Sequence, residues 1–119
     1  MLLVDDDPRN LFAISSVLES QGMEVLIAEN GQDAIDVLMN EPAIDLVLMD
    51  IMMPGMDGYS TMEVIRRQDH FADLPIVALT AKAMVGDREK AIDAGASDYV
   101  TKPVAIDMLL DVMHRWLDR

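Results

Sequence analysis

The sequence predicts an α/β domain: a doubly wound, five-stranded parallel sheet in the flavodoxin-like order 2-1-3-4-5, with helices on both faces. Two observations lead there. Short apolar runs alternate five times with segments whose apolar residues recur at helical spacing, and no low-complexity linker or internal repeat interrupts them. The runs also end on polar residues that could share one edge. Asp5, Asp6 and Asp7 follow the first run, Asp50 the third and Thr80 closes the fourth, while Lys102-Pro103 comes straight after the fifth. Open α/β sheets keep their chemistry at the carboxyl ends of strands, at the point where strand order reverses. In this order that point is the junction of strands one and three.

Each element has its own signal. Leu2 to Asp5 is a short apolar strand. Asp7 followed by Pro8 starts a helix, the carboxylate capping amides and the proline sitting in the first turn. Leu11, Ile14, Val17 and Leu18 mark its inner face, and Gly22 stops it. Met23 to Ala28 is the second strand; Asn30-Gly31 then turns into a helix with Ala34, Ile35 and Leu38 inward, closed by Pro42. Ile44 to Met49 is the third strand, broken only by Asp45, and it delivers Asp50 to a loop punctuated by Pro54, Gly55 and Gly58. Met62, Val64 and Ile65 suggest a third helix from about Gly58 to Asp69, and Pro75 opens a fourth strand, IVALT. A fourth helix, roughly Val85 to Ala94, ends at Gly95; Ser97 to Val100 is the fifth strand. A last helix from about Ala105 carries Leu109, Val112, Met113 and Trp116, the tryptophan as packing.

Composition narrows the class further. The 119 residues are expected to form one domain, 1–119, large enough to bury a core without staples, and the chain has no Cys. Hydrophobic residues at 51% with only 4% aromatic fit an aliphatic core padded by the 11 Met. No apolar run approaches the roughly 20 residues that span a bilayer, and the N-terminus lacks a basic, then apolar, signal stretch. A soluble, cytoplasmic protein without membrane insertion is expected. The formal net charge of -13 disfavours direct binding to nucleic acid or anionic membranes and favours cations or basic partner surfaces.

The strand ends offer carboxylates, a hydroxyl and an amine to one small volume. Carboxylates packed together repel unless a cation compensates. With no Cys, and with His70 and His114 away from these edges, the donor set is all oxygen, which points to Mg²⁺ or Mn²⁺ rather than zinc or copper. Lys102 and Thr80 could hold a phosphate oxygen at the same place. Plainer roles are expected for other residues: Asp7 and Asp57 as helix caps, and Asp87, Glu89, Asp93 and Asp98 as a solvated face. Thr80 could also cap the helix that follows it.

VDDDPRN, MDIMMPGMDG, LTAKA and GASDYVTKPV, in this order and spacing, resemble the receiver domains of two-component response regulators. The resemblance covers essentially the whole chain and looks strongest to receivers attached to hybrid sensor kinases. It implies a phosphoacceptor switch in a phosphorelay. Asp50 would take a phosphoryl group from the phosphohistidine of a histidine kinase or a histidine phosphotransfer protein. Asp5, Asp6 and Asp50, with the backbone carbonyl of Met52, would hold Mg²⁺. Thr80 and Tyr99 would form the switch pair, Lys102 would be the family's lysine, and Pro103 would follow a cis peptide bond. The resemblance further implies a changed surface on the fourth helix, fifth strand and fifth helix, read by a downstream effector or an attached domain. Such a domain is no enzyme toward external substrates; it catalyses only its own phosphorylation and dephosphorylation. In similar receivers the side chains two positions beyond the phosphoacceptor and the switch threonine act on the attacking water. Here they are Met52 and Lys82, neither suited to order it, so slow loss of the phosphoryl group is expected.

Three other classes fit less well. An unphosphorylated interaction module usually lacks part of the set Asp5, Asp6, Asp50, Thr80 and Lys102, which is complete here. An aspartyl phosphohydrolase wants a second acid where Met52 stands, and a lid. A flavodoxin needs amides and hydroxyls where the first loop carries acids. The short lead before Asp5 and the missing output domain suggest a segment of a larger protein.

Overall fold

The structure, a computed structural model, describes residues 1–41, 43–53, 55–81, 86–102 and 104–117. Strands and helices alternate as β1 (Leu2–Val4), α1 (Pro8–Ser20), β2 (Leu26–Ala28), α2 (Gly31–Asn40), β3 (Val47–Asp50), α3 (Gly58–Arg66), a 3-10 turn (Asp69–Phe71), β4 (Ile76–Thr80), α4 (Asp87–Ala94), β5 (Asp98–Thr101) and α5 (Ile106–Leu117). All strand pairs are parallel and the order is β2-β1-β3-β4-β5, as the alternation predicts. Val4 lies beside Met49, and Thr80 beside Thr101.

Successive strand residues face opposite sides of a sheet, and both sides of this one are covered. Leu2, Val4, Val47, Met49, Ile76 and Ala78 pack with Ala34, Leu38, Met62 and Ile65 from α2 and α3. Leu3, Leu48, Val77 and Leu79 pack on the other side with Leu11, Ile14, Leu18, Leu109 and Met113 from α1 and α5. Double coverage explains why β1, β3 and β4 read as unbroken apolar runs rather than alternating ones. Among the described residues no helix is long and apolar enough to cross a membrane.

The caps expected at Asp7 and Asp57 form, and Asn30, read only as part of a turn, caps α2 as well. Asp7 accepts from the Arg9 amide at 2.9 Å, Asn30 from the Asp33 amide at 2.8 Å and Asp57 from the Ser60 amide at 2.8 Å. Boundaries differ from expectation where tertiary bonds decide them. The second strand starts at Leu26 rather than Met23, because the Met23 amide donates back to Leu18 O at 3.2 Å and so closes α1 around Gly22, whose φ is +85°. The third strand runs through Asp50. The third helix ends at Arg66, whose guanidinium donates to Phe71 O at 2.7 Å and Gly95 O at 2.9 Å, tying the end of α3 to the end of α4. The fourth helix starts at Asp87, after Gly86 at φ +95°. The expected start at Val85 and the closing Pro42 lie outside the described residues.

Candidate functional site

Pairing of Val4 with Met49 makes Asp5 and Asp50 the next residues along adjacent strands, at the carboxyl edge where the order reverses. Asp5 is fully buried and Asp50 is 2% exposed, whereas Asp6 is exposed. One carboxylate oxygen from each of Asp5, Asp6 and Asp50 lies within 4.8 Å of the others. Asp5 is the most tightly built: its Oδ1 accepts from the Asp7 amide at 2.9 Å, and its Oδ2 from Asn10 Nδ2 at 3.4 Å and Lys102 Nζ at 3.2 Å. Lys102 also donates to Asp50 Oδ1 at 3.0 Å. The chain brings Lys102 here by continuing β5 one step, its amide donating to Thr80 O at 2.6 Å.

Three carboxylates thus face one ammonium, a formal excess of two negative charges. Burial pushes the Asp50 carboxyl above its ordinary range and the Asp5 charge adds to this, while Lys102 and the Met52 amide pull it back only in part. Burial draws the Lys102 ammonium down, but its bonds to Asp50 and Asp5 outweigh that and leave it above the ordinary lysine range. Under-neutralised hard oxygen donors at this spacing suit a small divalent cation that keeps several waters. The donor set therefore fits Mg²⁺ or Mn²⁺.

The loop after Asp50 is held by a glycine that sequence reasoning treated only as punctuation. Ile51 donates to Leu79 O at 3.0 Å and Gly58 donates to Ile51 O at 3.0 Å, so the start of α3 folds back onto the end of β3. A Cβ on Gly58 would run into the Asp50 carbonyl oxygen and come within 2.7 Å of Ile51 Cα. Close backbone approach, not a positive φ, demands glycine at this position. Asn10 was missed as well; its contact with Asp5 follows from its place on the first turn of α1.

The remaining residues fall as follows. Thr80 is 1% exposed at the end of β4, and α4 begins seven positions later behind Gly86, so Thr80 does not cap it. Tyr99 is half-buried in β5 and packs on the α2/α3 side of the core, near Tyr59. The Lys90 ammonium sits 4.8 Å above the Tyr59 ring. The Met52 residue is 57% exposed, and its amide serves Asp50. Lys82 and Pro103, with its expected cis bond, lie outside the described residues. His70 and His114 are exposed, the former edge-on to Phe71. Glu89 and Asp93 are exposed as expected, but Asp98 is not part of a solvated face. It is 8% exposed and accepts from Trp116 Nε1 at 3.0 Å, because β5 turns it toward α5.

Known proteins match along the whole length. The chain is 44% identical over 119 residues to the sensor histidine kinase GacS of Pseudomonas protegens, covering 98% of this chain and 13% of the kinase. It is 39% identical over 116 residues to the histidine-protein kinase BarA of Escherichia coli K12, covering 98% of this chain and 12% of that protein. The chain therefore spans about an eighth of the length of these relatives. Its fold superposes with a TM-score of 0.85 on the receiver domain of a Pseudomonas aeruginosa sensor histidine kinase, 38% identical, with 99% of this chain and 96% of the other covered; that structure has a magnesium ion coordinated in its active site cleft. Residues 1–114 match the response regulator receiver domain model, and the chain belongs to that family.

Proposed function

We propose that Asp50 accepts the phosphoryl group in this receiver domain, that Asp5, Asp6, Asp50 and the Met52 carbonyl hold Mg²⁺, with Mn²⁺ as a substitute, and that Thr80 and Tyr99 convert phosphorylation into a surface change. The donor is the phosphohistidine of a histidine kinase or a histidine phosphotransfer protein, in the cytoplasm. One observation carries the reading: a buried carboxylate, Asp50, that shares a lysine with a second buried carboxylate beside an exposed third.

An Asp50 oxygen forms the new bond to phosphorus as the bond from phosphorus to the donor imidazole nitrogen breaks, and the imidazole leaves with the electron pair and takes up a proton. A bound divalent cation supplies charge neutralisation for the transferred oxygens. Lys102, 3.0 Å from Asp50 Oδ1, holds positive charge where those oxygens arrive. The Thr80 hydroxyl, at the adjacent strand end, moves to donate to one of them, and Tyr99 follows into the space it leaves. The donor approaches over an apolar hollow of about 610 Å³ beside Lys102, lined by Ala13, Ile14, Val17, Ala81, Val104 and Ile106. Residues 1–119 act as one domain without an external substrate, and a downstream effector or attached domain reads the result.

Intact mass after incubation with acetyl phosphate and Mg²⁺ tests this. The parent gains one labile phosphoryl group; Asp50→Asn, or the parent in excess chelator, gains none. Undiminished labelling of Asp50→Asn would refute the assignment.

A further inference from the structure

Asp98 is a nearly buried carboxylate that the proposed chemistry does not use. Its two oxygens serve different elements. Oδ1 accepts from the Tyr99 amide of β5 at 2.8 Å. Oδ2 accepts from Trp116 Nε1 at 3.0 Å and from Arg115 Nη1 at 3.4 Å, both in the last turn of α5. The side chain is 11% exposed, so little water competes for it, and the indole body packs against the apolar cluster under α5. Tyr99 and Asp98 point to opposite faces of the sheet, as neighbours in a strand must. The Tyr99 peptide is thus gripped from the α5 side while its ring sits on the α2/α3 side of the core.

We propose that Asp98 is a positioning residue of the switch: its carboxylate links the Tyr99 peptide to Trp116 and Arg115, so that movement of Tyr99 shifts the last turn of α5. The proposal rests on Asp50 phosphorylation moving Tyr99. It differs from a merely structural clamp in one respect. A clamp steadies α5 equally in both states, whereas a coupler makes the surroundings of Trp116 depend on phosphorylation.

Asparagine separates the two roles. It keeps the shape of Asp98, but its amide has one oxygen where the carboxylate has two, so it cannot accept from Tyr99 and Trp116 at opposite ends. Trp116 is the chain's sole tryptophan, so the emission reports the surroundings of this one side chain. The experiment follows Trp116 emission and intact mass in the same samples, with acetyl phosphate and Mg²⁺, for the parent and Asp98→Asn. In the parent, emission changes in step with phosphoryl gain. In Asp98→Asn, mass gain persists and the emission change is lost. An emission change that survives in Asp98→Asn, or is missing in a fully phosphorylated parent, would overturn the coupling. Absence of any mass gain in the parent would instead overturn the reading of the site, and this proposal with it. Hydrogen exchange on the parent does not depend on the variant folding: amides of the last α5 turn change protection on phosphorylation, and unchanged protection at full phosphorylation refutes the link.

Discussion

Replacing Gly58 by alanine adds one methyl group and should damage both the fold and the proposed phosphoacceptor. The new Cβ would meet the Asp50 carbonyl oxygen, with Ile51 Cα at 2.7 Å and Ile51 Cδ1 at 3.0 Å. Two of these are backbone atoms, one of the last residue of β3 and one of the residue after it, which cannot retreat without stretching the bonds from Ile51 to Leu79 O and from Gly58 to Ile51 O. Forcing a methyl group into a packed site costs about 1–3 kcal/mol, and weakening a backbone hydrogen bond adds about 1 kcal/mol. Alanine's better helix propensity returns under about 1 kcal/mol, less at a first helical residue. The net loss is about 2–3 kcal/mol, or roughly 6–15 °C in Tm for a domain of this size.

Function should suffer beyond stability, because the displaced atoms belong to Asp50 and the residue bonded to it; a shift of about 1 Å can slow chemistry by about 100-fold. Gly55→Ala is the control. Nothing lies within 4 Å of its added Cβ, so only its φ of +75° resists, at about 1–2 kcal/mol. Urea and thermal unfolding give the stability arm, and the labelling rate from acetyl phosphate, below either Tm, gives the functional one. A Gly58→Ala protein within about 0.5 kcal/mol of the parent and labelled at the parental rate would show that the loop accommodates the methyl group, and the close-approach reasoning would fall.

Asp6→Ala should weaken Mg²⁺ binding at least about tenfold while leaving apo stability unchanged, since Asp6 is exposed; Asp5→Ala should lower apo stability, because it strips acceptors from Asp7, Asn10 and Lys102. Thermal shifts with and without Mg²⁺ separate the two, and identical profiles would contradict the assignment. In chelator, Asp50→Asn should be more stable than the parent at neutral pH. The raised Asp50 carboxyl means that folding favours its protonated form, so the parent regains ground as pH falls from that raised value through the ordinary 3.8, and the advantage of Asn disappears there. A difference independent of pH would be inconsistent with a raised Asp50. Joint replacement of Met52 by Asn and Lys82 by Glu should shorten the phosphorylated state by about tenfold, about 1.4 kcal/mol of barrier, read as phosphoryl loss after donor removal; unchanged decay would rule these side chains out as governors of the water.

Much of what could be read in the sequence was local or followed from the alternation of elements, and much of what could not was set by how particular side chains meet in the fold. The caps Asp7 and Asp57 were legible because each bonds an amide two or three residues away. The parallel sheet and its order were legible because strand and helix signals alternate five times along the chain. Asp98 was misjudged because the groups that draw it inward, Arg115 and Trp116, come 17 and 18 residues later, and an acid among acids reads as solvated face. Gly58 hid its role because a glycine at the start of a helix is ordinary, and only the return of α3 onto β3 makes it obligatory.

The three consecutive aspartates draw the line most sharply. Their identity gives no reason to treat them differently, yet the chain leaves β1 at Val4 and enters α1 at Pro8, and that short passage turns successive side chains to different places. Asp5 is carried inward and becomes an anchor for Asp7, Asn10 and Lys102. Asp6 stays exposed with a carboxylate oxygen at the cluster, open to an arriving ion. Asp7 spends its oxygen on the helix it starts. A site that needs one buried acid, one accessible acid and a fixed loop between strand and helix obtains all three from a single residue type, because the backbone path assigns the roles.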